Sequence, residues 1–202
     1  AECLVGSEMC IRDSVGVDYN LLSKDGVWDG KFYFHNSFST LNKTNPFSTG
    51  FTLSHNTRNN SIYSKVIRLG EGFVSDLGFI RRKGIFKNYF RYERRFWVKN
   101  KKIRSVNVIS SLAYIDKPEN KSLITDRNYR LELQFDFNSM AGIDISLRKD
   151  YTHLEDSFNP LRSFSLNPLP ANSSYNYSYL DFGYKNDQRK KLNYRFEFSD
   201  GD

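Results

Sequence analysis

In the stretch "YRLELQFDFN", Tyr129, Leu131, Leu133, Phe135 and Phe137 alternate with Arg130, Glu132, Gln134, Asp136 and Asn138. "KLNYRFEFS" repeats the pattern, setting Leu192, Tyr194, Phe196 and Phe198 against Asn193, Arg195, Glu197 and Ser199. A helix would scatter both sets around its circumference, whereas a strand puts each on its own face. The same alternation predicts ten strands, at 15–22, 30–39, 47–55, 61–69, 85–97, 103–115, 125–138, 142–153, 174–185 and 190–198. Strands of soluble sheets average about five or six residues. Several of these run ten to thirteen, the length a tilted strand needs to cross a bilayer, about nine to eleven.

Link lengths sort by parity. Odd-to-even strands are joined by "KDGVWD", "NTRNN", "KNKK", "NSMA" and "NDQ". Even-to-odd links tend to be longer: "TLNKTN", "GEGFVSDLGFIRRKG", "DKPENKSLI" and "LEDSFNPLRSFSLNPLPANS". A soluble meander has no reason for this, whereas outer-membrane barrels place short turns on one side of the membrane and long loops on the other. The faces point the same way. On the fifth strand Tyr89, Arg91, Glu93 and Arg95 oppose Phe90, Tyr92 and Phe96. Charges in mid-strand suit a hydrated interior with cross-strand ion pairs. Arg94 breaks the apolar side and is expected near an interface, where its head can reach water.

Composition fits strands. Phe, Tyr and Trp make up 16% of the chain, residues that pack well on a pleated surface. The mean hydropathy of −0.62 does not argue against a membrane, because half of each barrel strand faces water. No apolar run of about 18 residues exists, so a transmembrane helix is excluded.

The opening segment "CLVGSEMCIRDS" is unlike the rest. Leu4 to Asp13 back-translate as CTC GTG GGC TCG GAG ATG TGT ATA AGA GAC, which resembles the adapter of transposon-based sequencing libraries read in one frame. Residues 1–14 are therefore expected to be non-native and disordered or loosely attached, and are set aside. Cys3 and Cys10, the chain's two cysteines, go with them, leaving no thiol or disulfide chemistry. So do Glu2, Glu8, Asp13 and Arg12, which leaves 29 basic and 20 acidic residues. The chain is expected to be an internal fragment, 15–202, of a longer barrel protein.

From Asp76 to Val108 the chain reads "DLGFIRRKGIFKNYFRYERRFWVKNKKIRSVNV". It resembles a bacterial outer-membrane family of unknown function in which a family-9-type carbohydrate-binding module precedes a C-terminal β-barrel. Asp76, Gly78, Phe79, Arg81 and Arg82 match that family's motif, and its later basic residue falls at Lys87. Residues 15–39 resemble the strand pair that opens the family's barrel, and 167–202 a later pair. The resemblance implies a barrel in the outer membrane of a bacterial cell, associated with carbohydrate binding or uptake. The sugar-binding module itself lies outside this chain.

The best candidate for ligand binding is the loop carrying Asp76, Gly78, Phe79, Arg81 and Arg82. Gly70, Gly72, Gly78 and Gly84 permit close backbone approach. Paired arginines suit carboxylates, phosphates or sugar hydroxyls; alternatively they pair with interior carboxylates such as Glu93 or Asp136. The expected interior lining is Arg91, Glu93, Arg95, Arg130, Glu132, Asp136, Arg195 and Glu197. His35, His55 and His153 lack metal-ligand spacing, and no cofactor motif is visible. The expected partners are outer-membrane lipid and an oligosaccharide. Nucleic acid is not expected, since the basic residues recur on most strands instead of forming one patch. No catalytic residue is expected in this segment. Two rival readings are the scaffold of a glycan hydrolase, with Glu71 and Asp76 or Glu155 and Asp156 as its carboxylates, and a soluble β-sandwich lectin.

Overall fold

The computed structural model describes residues 13–38, 44–75, 80, 82–120, 123–160 and 167–202. Among them ten strands form one antiparallel sheet, each hydrogen-bonded to the next in chain order. They are β1 (Asp13–Leu22), β2 (Trp28–Phe38), β3 (Phe47–Asn56), β4 (Asn60–Leu69), β5 (Ile85–Trp97), β6 (Ile103–Lys117), β7 (Leu123–Phe137), β8 (Gly142–Leu154), β9 (Ser173–Lys185) and β10 (Arg195–Gly201). The protein is thus an all-β, up-and-down meander. β1 and β10 do not pair, so the sheet is open.

Nine strands lie within about two residues of the expected bounds; the tenth starts at Arg195 instead of 190. The side chain of Asn186 is the reason. Its Oδ1 accepts the Tyr194 N–H at 2.9 Å and its Nδ2 donates to the Leu192 carbonyl at 2.7 Å. The alternation of Leu192 and Tyr194 therefore continues into a turn. Asp187 braces that turn through two hydrogen bonds from the Arg189 guanidinium and one from the Arg189 backbone. The guanidinium, followed by the backbone N–H, lowers the Asp187 carboxyl from 3.8 to about 2. Its contribution is thus present above the ordinary carboxylate range and is lost as pH falls from about 4 toward 2. Hydrogen exchange at the Tyr194 amide, followed in micelles, is expected to accelerate across that window; constant protection down to pH 1.5 would contradict it.

β1 begins at Asp13, paired with Phe38, and Ser14 is paired with Ser37. Of residues 1–14, expected to be disordered or loosely attached, Asp13 and Ser14 thus lie within β1. Ladder hydrogen bonds are made by the backbone, so a strand can extend through residues of any origin. Residues 1–12 lie outside the described residues.

The register fixes two faces, because a slip of one residue would exchange them. One carries Leu131, Leu133 and Phe135 beside Leu147, Ile145 and Ile143. The other carries Arg130, Glu132 and Gln134 beside Arg148, Ser146 and Asp144. Burial runs opposite to that of a soluble protein. Ser105 and Ser146, on the polar face, are 1% and 2% exposed, while Leu147 and Phe196 are 55% and 56% exposed. Among the described residues only Phe73 and Ile109 are buried apolar side chains. Every strand touches only its sequence neighbours, so among the described residues no second layer covers the apolar face. Side chains converge inside a bent sheet and splay outside it; the polar face is therefore the concave one.

Candidate functional site

The even-to-odd links all emerge at one end of the sheet, and there the described residues of the link 70–84 fold back over the concave face. Its anchor is Ser37 on β2. The Ser37 Oγ donates to the Pro46 carbonyl at 3.2 Å and accepts the Val74 N–H at 3.1 Å. The Gly70 N–H donates to the Phe47 carbonyl at 2.9 Å. Two glycines make this fit possible: a Cβ on Gly70 would stand 1.9 Å from the Asn45 carbonyl oxygen, and one on Gly72 2.1 Å from that of Thr44. Gly70→Ala is therefore expected to unseat the loop, at a cost of about 1–3 kcal/mol. Protease cleavage between residues 70 and 84 should quicken markedly; an unchanged rate would contradict the docking.

Beneath the loop is a cavity of about 750 Å³, within the range of small-molecule sites. Its floor is apolar, from Ile67, Leu69, Ile85 and Ile115, and buried Phe73 closes it from above. Its polar groups include Tyr33, Lys87, Asn128 and the ion pair of Arg82 with Asp126. Asp126 follows Asn128 in register on the polar face of β7, and a bulge of β7 lies just beyond it. Ile115 pairs with Asp126 and Asp116 with Ile124, leaving Thr125 unpaired. Such an extra residue turns its neighbours' side chains, and the Thr125 Oγ1 donates to Asp126 at 2.9 Å. Lys87 forms no ion pair among the described residues.

Of the loop residues expected to bind ligand, Arg82 lies in the cavity wall; Asp76, Gly78, Phe79 and Arg81 lie outside the described residues. Arg82 pairs with Asp126, and neither Glu93 nor Asp136 receives it. Those two acids lie nearer the short-turn end and have other partners. Glu93 is held by Arg91 at 3.1 Å and Arg95 at 3.0 Å. Asp136 accepts from Ser105 at 3.0 Å and Asn107 at 3.3 Å.

Further along the concave face, the register places Arg91, Ser111, Arg130 and Arg148 in one row. Glu93, Ile109, Glu132, Ser146 and Asp181 form the next. Arg195 and Glu197 share this face on β10. All eight residues expected to line the interior therefore lie on one side of the sheet. Their pairing differs from the expected cross-strand pattern. Arg91–Glu93, Arg95–Glu93, Arg130–Glu132 and Arg195–Glu197 are pairs two apart on one strand. Arg148–Asp181 crosses strands, at 3.2 Å.

Asp126, Ser37 and Asp181 were missed by sequence reasoning. Carrying the alternation of β7 back two positions from Asn128 would have placed Asp126 on the polar face. Nothing in the sequence marks Ser37 as the loop's anchor. The histidines stay apart: His35 contacts Asp18, His55 packs on Trp28, and His153 bonds Ser174. Among the described residues no three His, Cys, Asp or Glu side chains converge as metal ligands. Glu155 pairs with Lys117, while Asp156 is exposed. No protein-family model, curated protein or solved structure matches the chain.

Proposed function

We propose that this chain is the membrane-embedded part of a β-barrel in a bacterial outer membrane, serving carbohydrate binding or uptake and performing no catalysis within this segment. One observation carries the membrane reading: bulky apolar side chains stand exposed on the convex face with no second layer, while serines, asparagines and ion pairs fill the sheltered face. Soluble monomers rarely expose contiguous apolar patches beyond a few hundred Å². Lipid removes that cost, provided every backbone polar group is paired within the sheet. The carbohydrate part rests on the family resemblance. It gains support from a cavity whose apolar floor suits a sugar ring's C–H face and whose Tyr33, Asn128, Lys87 and Arg82–Asp126 suit its hydroxyls.

The test is to fold the chain with and without detergent micelles. A barrel is expected to require the micelle and to migrate differently on a gel before and after heating. A folded, monodisperse protein in plain buffer would overturn the reading. The solute part is tested separately, by titrating folded protein with neutral oligosaccharides and following quenching or protection at the cavity. Binding that survives Asn128→Ala together with Arg82→Ala would remove the cavity from it.

A further inference from the structure

The sheet's two ends differ sharply in charge. The odd-to-even turns 23–27, 57–59, 98–102, 138–141 and 186–194 all meet at one end. They hold eight cations against only Asp25 and Asp187. The links at the opposite end, taken over their whole sequence, are nearly balanced. Most of the chain's formal net charge of +7 thus sits on its short turns.

Neither acid quenches that charge beyond its own turn. The Asp25 carboxylate accepts from the Ser23 Oγ and, at 3.1 Å, from the Val27 N–H; the Ser23 bond, then the backbone, lowers its pKa. Asp187 is bound by Arg189. Lys24, Lys99, Lys101, Lys102, Lys190 and Lys191 are exposed and form no ion pair among the described residues. Just inside this collar lie both tryptophans of the chain. On the convex face Trp28 packs on His55, while on the concave face the Arg58 guanidinium stands 5.4 Å from the centre of the Trp97 ring. At the far edge of the sheet, on β9 and the turn before β10, Tyr184 and Tyr194 pair at 6.0 Å. On the convex face Trp28 and the Tyr184–Tyr194 pair, followed outward by flexible cations, match a bilayer's order of hydrocarbon, carbonyl layer and headgroup.

We propose that the short-turn end is a docking surface for anionic phospholipid headgroups, with the lysines against the phosphates and the aromatic ring of side chains at the acyl boundary. This rests on the barrel reading for its orientation. The six lysines bring no bound counter-charge of their own, and a phosphate-bearing surface supplies it. The attraction is screened within about 10 Å at 0.1 M salt, so the lysines must sit at the surface itself, as their place in the turns ensures.

The experiment uses the full chain and two vesicle compositions: phosphatidylcholine alone, and phosphatidylcholine with one-fifth phosphatidylglycerol. Co-sedimentation reads binding, and heat-modifiable gel mobility reads barrel formation. Binding is expected to rise at least about tenfold with phosphatidylglycerol at low salt, and to lose that gain in 0.5 M salt. Lys99→Gln/Lys101→Gln/Lys102→Gln should abolish most of the gain. Lys65→Gln/Lys83→Gln/Lys149→Gln removes the same charge away from the turns and should keep it. Equal loss in both triple variants would mean a response to net charge alone and would overturn the proposal, as would no gain with phosphatidylglycerol. Gain without heat-modifiable mobility would refute the barrel while leaving the headgroup surface standing.

Discussion

Leu147→Arg is expected to destabilise the folded protein in lipid by about 2–4 kcal/mol, the cost of a cation on the lipid face near the bilayer midplane. Leu147 lies mid-way along β8, between Leu131 and Leu180 in register, and is more than half exposed. If that exposure meant water, the same change would stay within about 0.5 kcal/mol. The two values differ enough for one denaturant titration in vesicles to separate them. Leu131, Leu133 and Phe135 share this face, and the same substitution at Leu133 should behave alike. A neutral result at both positions would end the membrane reading, because it would remove the only environment that makes the convex face stable.

The second large effect lies on the opposite face. Glu93 is 17% exposed and joins the guanidiniums of Arg91 and Arg95. Glu93→Gln keeps the shape but leaves two cations facing each other without their shared anion. It is expected to cost about 1–3 kcal/mol, the range for stranding a partly sheltered charged partner. Glu197 makes the same kind of contact with Arg195 but is 63% exposed on the edge strand. Glu197→Gln is expected to cost less than about 0.5 kcal/mol, as exposed ion pairs do. Chemical unfolding of both variants in micelles, side by side, checks the contrast. Equal effects would mean that the concave face is as wet in its middle as at its edge.

The elements were legible because a half-wet strand writes its faces into the chain at period two. Phe90 and Tyr92 against Arg91 and Glu93 left no ambiguity, and nine strands followed. The signal failed where side chains, not faces, set the boundary. Asn186 closes the last hairpin by capturing Leu192 and Tyr194, and alternation alone cannot register that. The loop's glycines were recognisable as a group but not in their separate roles. Gly84 sits at a φ of 66°, while Gly70 and Gly72 make room for a neighbouring loop 25 or more residues earlier in the chain. The site was legible only in part, for a similar reason. Arg82 stood out as a donor, and alternation puts Asp126 on the polar face, but nothing in either signals that a loop residue 44 positions earlier in the chain meets it. The apolar floor of Ile67, Leu69 and Ile115 departs from the alternation of polar residues on that face, because the loop covers it.

The two outermost strands carry a consequence for handling this chain. Among the described residues β1 and β10 each bond a neighbour on one side alone, and they run in opposite directions. The free flank of β10 in one copy therefore matches the free flank of β1 in another, and each union leaves a fresh flank at both ends. Nothing in that head-to-tail geometry stops growth once it begins. Without micelles the chain is expected to lengthen into ribbons, visible as light scattering that climbs with concentration; scattering that stays flat would show that the flanks are already shielded.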